Sequence, residues 1–298
     1  MIHASLAEQI ARYAPEDGII DTAIPRLSLV RWSQGAVPVH MLQRPALCII
    51  AQGAKQVMLG DKIVAYGPSD YLVASLDLPI TGMVTQASVD TPYLCFCLYL
   101  DVELLSELLL AMPTATASTD GGLGLTLHPA TDEIVDAATR LTALLGAPQD
   151  AAMLAPLVER ELLFRLITGP TGSLIRSIAK GDSRVAQIAR AIGWLKAHFR
   201  EPHSGTQLAR LAGMSVSSFH AHFRQATAMT PLQYQKQLRL QEARTLMMAD
   251  RIAAAEAADR VGYESPSQFS REYRRLFGAP PQRDTVHLRG TIGAPLAI

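Results

Sequence analysis

The sequence predicts a two-domain α+β protein. A strand-rich first half is completed by helices, and an all-helical second half is built on two helix-turn-helix units joined by a linker helix. Three observations lead there. Apolar residues come in short β-type runs up to Asp101 and at helical spacing afterwards. A helix–glycine–helix pattern occurs twice near the C-terminus. The two halves of the 298-residue chain carry opposite charge.

Residues 4–13 read as a short helix. From Leu27 to Asp101, runs of about six residues rich in Val, Ile, Leu and Tyr alternate with turn signals. They are 27–33, 46–52, 55–59, 62–66, 70–75, 80–88 and 93–100. Gly60-Asp61 between two runs is a two-residue hairpin signal, and GPSD at 67–70 is a turn by composition. Many short strands at this spacing argue for a sandwich or small barrel.

Helices follow at 102–112, 131–146 and 150–168, with a polar loop, TATASTDGG, at 114–122. In the third, Leu157, Val158, Leu162, Leu163, Phe164, Leu166 and Ile167 form a broad apolar face for burial. This closes a first domain at 1–168. The Gly- and Ser-rich segment 169–184 has weak periodicity and reads as a linker. A helical domain occupies 185–284, and the tail 285–298 shows no regular period.

Within the helical domain, LARLAGMSVSSFHAHFR (208–224) and AADRVGYESPSQFSREYR (257–274) are copies of one unit. Gly213 and Gly262 each supply the left-handed backbone that a tight interhelical turn needs. Ser215 and Ser265 stand where an N-cap is expected. Phe219 and Phe223, like Phe269 and Tyr273, are four apart and face a core. The second copy has one extra residue in its turn; beyond it Arg224 matches Arg274 and Pro231 matches Pro281. Between the copies, residues 231–248 make a helix of about 27 Å. A spacer of that length holds two recognition helices on one DNA face, where successive major grooves lie about 34 Å apart. A plain bundle with a repeated helical hairpin is the competing reading.

Charge favours the DNA reading. Residues 184–298 hold 16 Lys and Arg against 8 Asp and Glu, which leaves 11 against 19 in residues 1–183. A basic half suits a polyanion. No run of 18 apolar residues marks a membrane span, and the N-terminus lacks the apolar core of a secretory signal. Cys48, Cys95 and Cys97 form no disulfide framework and suit a reducing cytoplasm.

Residues 185–284 resemble the DNA-binding domain of AraC/XylS-type bacterial transcription regulators, on LARLAGMSVSSFHAHFRQATAMTPLQYQKQLRLQEARTLM and AADRVGYESPSQFSREYRRLFGAPP. The sequence departs from the family pattern at Ala257, where a larger aliphatic residue is usual. It departs again at Gln282-Arg283-Asp284, where the family closes with Tyr-Arg. The resemblance implies Ser217, His220 and Ala221 as base-facing residues of the first recognition helix, with Arg224 on a phosphate. In the second it implies Ser267, Gln268, Ser270 and Arg271 on bases, with Arg274 and Arg275 on phosphates. Gln and Arg can make bidentate contacts to adenine and guanine; Ser is promiscuous, and Ala can touch only a thymine methyl. His220 and His222 are two apart on a helix and point to different sides, so they are not a zinc pair.

On IIAQGAKQVMLGDKIVAYGPSDYLVASLDLPITGMVTQAS and PYLCFCLYLD, roughly residues 20–110 resemble the N-terminal domain of one AraC-type subgroup. That implies a cupin-like barrel that binds a small effector, supports dimerisation, or both. The resemblance as a whole implies promoter DNA and RNA polymerase as partners, activation as the mode of action, a cytoplasmic, nucleoid-associated setting and no membrane. Oligomeric state stays open between monomer and homodimer, since one chain already carries two readers. No cofactor or metal is expected: His3, His40 and His128 are too scattered for a metal-dependent cupin, and no P-loop or dinucleotide-binding glycine motif is present. The chain does not read as an enzyme. Cys95, Cys97 and Tyr99 share one strand face, which makes them a candidate effector or sensor site; buried core cysteines are the competing reading. The alternative for the whole chain is a small-molecule-binding or enzymatic cupin whose helical half binds a protein partner.

Overall fold

The computed structural model describes residues 2–35, 38–68, 70–112 and 124–291. The chain divides into two compact units, 1–39 with 43–187 and 40–42 with 188–298.

The first unit opens with α1 (Ile2–Tyr13), whose Leu6 and Ile10 are fully buried. Ten strands follow along the chain, residues 40–42 of β3 being counted with the second unit: β1 (Gly18–Asp21), β2 (Leu27–Trp32), β3 (Val39–Gln43), β4 (Ala46–Gln52), β5 (Ala54–Leu59), β6 (Lys62–Tyr66), β7 (Asp70–Ala74), β8 (Leu78–Gln86), β9 (Tyr93–Tyr99) and β10 (Leu125–Pro129). They form two sheets, in the orders β1-β2-β9-β4-β7-β10 and β3-β8-β5-β6. The central strands β4 and β9 pair antiparallel, Cys48 opposite Cys97, and are buried along almost their whole length, which explains their unbroken apolar runs. Gly60-Asp61 makes the β5–β6 turn, with Leu59 facing Lys62. All seven expected runs are strands. β1, β3 and β10 are additional: four residues, a run without alternation, and a run ending in proline give little sequence signal. The expected loop at 114–122 lies outside the described residues.

Helices α2 (Val102–Ala111), α3 (Asp132–Ala143) and α4 (Pro148–Thr168) complete the layer. Asp101 caps α2, accepting from the Glu103 and Leu104 amides. Arg26 stands in the left-handed region at φ 67°, held there by two bonds to Glu159 of α4, 3.0 and 2.8 Å, and by Asp101 at 3.3 Å. A strained backbone persists where its surroundings over-determine it. This one ties strand, cap and helix together.

Two expectations change here. The face read as buried on α4 is narrower: Leu162, Leu163, Leu166 and Ile167 are buried, but Leu157 and Phe164 are exposed. The segment 169–184, read as a linker, contains α5 (Gly172–Ala179), whose Leu174, Ile175 and Ile178 are buried against α2 and α4. Leu, Ile and Ile at helical spacing outweigh the local Gly and Ser.

The second unit holds most of α6 (Arg184–Ala197), then α7 (Gly205–Ala212), α8 (Val216–Thr227), α9 (Pro231–Ala249), α10 (Ala254–Arg260), α11 (Pro266–Phe277) and α12 (Pro281–Thr291). The tail from 285, read without regular structure, is helical through Thr291, and Thr285 is buried. Among the described residues no helix is long and apolar enough to cross a membrane. Nor, among them, is any group of three or more His, Cys, Asp or Glu arranged to hold a metal ion.

Candidate nucleic-acid interface

Each helix-turn-helix unit is built from its own capping chemistry. α7 begins on Ser204, whose hydroxyl accepts from the Gln207 amide at 3.1 Å, and ends on Gly213 at φ 66°. Two residues later Ser215 caps α8, accepting from the Ser218 amide at 3.3 Å. In the second unit α10 closes through Gly262 at φ 85°, and Ser265 caps α11 by accepting from Gln268 at 3.3 Å. Caps satisfy amides that the first helical turn leaves without partners.

Aromatic pairs then orient the recognition helices. Phe219 and Phe223 are fully buried, and Phe223 meets Tyr234 of α9 edge-on at 5.7 Å. Phe269 and Tyr273 do the same in the second unit, with Tyr263 5.3 Å from Phe269. Leu240, Ala243 and Met247 of α9 join that core, as does Ala257, whose small side chain is fully enclosed. α9 is the common support. Thr230 and Gln233 form a reciprocal capping box at its start, and its 19 residues span about 28 Å.

With the aromatic faces inward, Ser217, His220, Ala221 and Arg224 lie exposed along α8 at the i, i+3, i+4, i+7 spacing of one helix face. Ser267, Gln268, Ser270, Arg271, Arg274 and Arg275 are likewise exposed on α11. Among the described residues the side chains of Arg224, Arg271 and Arg274 have no hydrogen-bond or ion-pair partner. Two of the positions are already engaged. The His220 ring covers the start of α7, where a Cβ at Gly205 would lie 2.8 Å from Nε2. The Gln268 amide donates to Glu272 Oε1 at 3.1 Å.

The residues that hold this frame carry little sequence signal. Arg239 of α9 donates to the carbonyls of Phe199 at 2.6 Å, Arg200 at 2.9 Å and Gly262 at 2.7 Å, clamping the second turn. Glu272 accepts from Lys236 at 2.5 Å and Tyr263 at 2.8 Å as well as from Gln268. Burial alone would raise the Glu272 carboxyl, but these hydrogen bonds outweigh it and hold it below the usual carboxylate range. Asp284, part of the departure from the family ending, is buried. It accepts from Nε and Nη2 of Arg244, each at 2.8 Å, and from the Tyr273 hydroxyl at 2.7 Å.

In the first unit Cys95 and Cys97 are buried, and a third thiol joins them: Cys48 Sγ lies 3.7 Å from Cys97 Sγ. Tyr66 and Tyr93 surround the group. The Cys48 thiol, and burial after it, push Cys95 well above the ordinary thiol range. Burial raises Tyr99 to about 12. A protonated, enclosed thiol is a poor nucleophile. Iodoacetamide should therefore label the native chain at least tenfold more slowly than the denatured chain, on the order set by thiolate fraction and access. Equal rates by mass spectrometry would show that the β4–β9 interior opens.

Comparison with known proteins follows the same division. A family model described as "AraC-type transcriptional regulator N-terminus" matches residues 23–174, and one described as "Helix-turn-helix domain" matches 208–284. The transcriptional activator RhaS of Enterobacter sp. (strain 638) is 31% identical over 128 residues, 42% of this chain and 45% of its own. RhaS of Salmonella schwarzengrund is 28% identical over 145 residues, covering 48% and 51%. The chain thus spans about half the length of the curated relatives it matches. The crystal structure of wild-type ToxT from Vibrio cholerae strain SCE256, with unsaturated fatty acid bound, aligns at a TM-score of 0.58. That alignment covers 89% of this chain and 95% of ToxT at 9% identity, a likeness of fold.

Proposed function

Because the chain belongs to the AraC-type transcriptional regulators, we propose that it binds double-stranded promoter DNA sequence-specifically through α8 and α11. In this reading it activates transcription under control of a small molecule held by the first unit. The observation that carries the reading is the pair of separately capped helices on one α9, each with an exposed polar and basic stripe. The RhaS relatives, named as activators, support the direction of the effect, and ToxT, a protein of like fold, is seen with an unsaturated fatty acid bound.

Ser217, His220, Ala221, Ser267, Gln268, Ser270 and Arg271 are the proposed base contacts; Arg224, Arg274 and Arg275 are the phosphate contacts. RNA polymerase is the proposed protein partner, the cytoplasmic nucleoid the place of action, and binding rather than catalysis the activity. Met153, Leu157 and Phe164, exposed along one side of α4, support a homodimer. In the first unit, the burial of Cys95 and Cys97 favours a core role over a sensing one.

The test is fluorescence anisotropy of the full chain on duplexes from upstream of its own gene, against a scrambled duplex, across a salt series. Tight binding to one fragment with a steep salt slope is expected, because neutralised phosphates release counterions. Arg271→Ala should cost about 1–3 kcal/mol and relax preference at one base pair. Arg275→Ala should weaken all duplexes alike and lower the salt slope by about 0.9. Equal losses from both on every duplex would contradict the division of roles. No binding even at low salt would favour the cupin reading with a protein partner.

A further inference from the structure

Glu272 is one helical turn beyond Gln268 on α11, and its side chain is only 13% exposed. Three elements converge on it. Lys236 of α9 and Gln268 of α11 both donate to Oε1, and Tyr263 of the turn donates to Oε2. The carboxylate is thereby fixed from both sides. Gln268, by contrast, is exposed on the proposed reading face.

A glutamine amide presents one carbonyl and two N–H groups. Rotated by half a turn, it would set its carbonyl oxygen against Glu272 Oε1, acceptor facing acceptor. The charged acceptor therefore selects one orientation. With one N–H given to Glu272, what remains outward is a carbonyl beside a single N–H. That pair matches the adenine edge in the major groove, where N6–H donates and N7 accepts. An orientation fixed before binding also reduces the rotamer entropy lost on contact.

We propose that Glu272 is a specificity-positioning residue, which locks the Gln268 amide in the orientation that reads adenine. The proposal rests on α11 being a DNA-reading helix. Glu272 itself touches no base. It acts through Gln268, and Lys236 and Tyr263 hold it in place.

The experiment measures anisotropy of the full chain on a duplex selected by that chain from a randomised pool, and on every single-base variant of it. The wild type should prefer A·T at one base pair in the half read by α11, and Gln268→Ala should flatten that position. Glu272→Ala should flatten the same position by roughly tenfold, within the range of one bidentate contact, and leave the others unchanged. The double variant should lose no more there than Gln268→Ala alone. Glu272→Gln, which keeps the volume but restores both amide orientations, should give a partial loss at that position and serves where the alanine variant does not fold. A Glu272 variant that keeps the full wild-type A·T preference, or that weakens every position equally, would overturn the proposal. A wild-type chain that selects no sequence at all would overturn the DNA reading, and Glu272's role with it.

Discussion

Asp284→Ala is expected to destabilise the second unit by about 3–5 kcal/mol, the usual cost of breaking a buried ion pair from one side. Its carboxylate is the acceptor for Nε and Nη2 of Arg244 and for the Tyr273 hydroxyl. Removing it leaves a guanidinium and a phenol enclosed with nothing to accept their hydrogens. Burial, the largest cause that raises the Tyr273 phenol, persists in the variant and disfavours its ionisation. Asp284→Asn keeps an acceptor oxygen and should lose less. Thermal unfolding of the full chain reads both. A Tm for Asp284→Ala within a degree or two of wild type would mean that water reaches the pair and stands in for the carboxylate.

Gly262→Ala is the second large effect. At φ 85° any side chain is strained, and a Cβ there would lie 2.5 Å from the Arg200 carbonyl oxygen. That carbonyl is fixed by Arg239, so it cannot withdraw freely. Strain of about 1–2 kcal/mol for the left-handed backbone and about 1–3 kcal/mol for overpacking should combine. Gly213→Ala is the control. Its φ is similar, 66°, but the nearest atom to an added Cβ is the Arg190 side chain at 4.0 Å. Only the backbone strain remains, about 1–2 kcal/mol. Equal Tm losses from the two substitutions would show that the Arg200 contact yields.

The two helix-turn-helix copies thus look alike in sequence and are expected to differ in tolerance, and the sequence alone explains only the likeness. Caps, turn glycines and buried aromatic pairs are local, with all partners within a few residues, so Ser215, Gly213 and Phe219 could be read directly. The seven long strand runs were legible for the same reason. What stayed hidden depends on distant partners. Leu157 and Phe164 match the helical apolar pattern, yet they lie outside the face that α4 buries. Glu272 and Asp284 look like ordinary surface acids until α9 brings Lys236 and Arg244 to them. Cys48 is far from Cys95 and Cys97 in sequence, and only the β4–β9 register joins them. α5 was masked by the glycines and serines around it.

The reliance of Arg244 and Tyr273 on α12 has a consequence for how the protein is made. Synthesis runs from the N-terminus, at about 5–20 residues per second. The whole of α11 emerges before the carboxylate that completes its packing. A truncated product ending before Pro281 would carry both recognition sequences but only the first with all its packing partners. In such a fragment Arg244 and Tyr273 would lack their carboxylate, and the second core would open more readily to proteolysis.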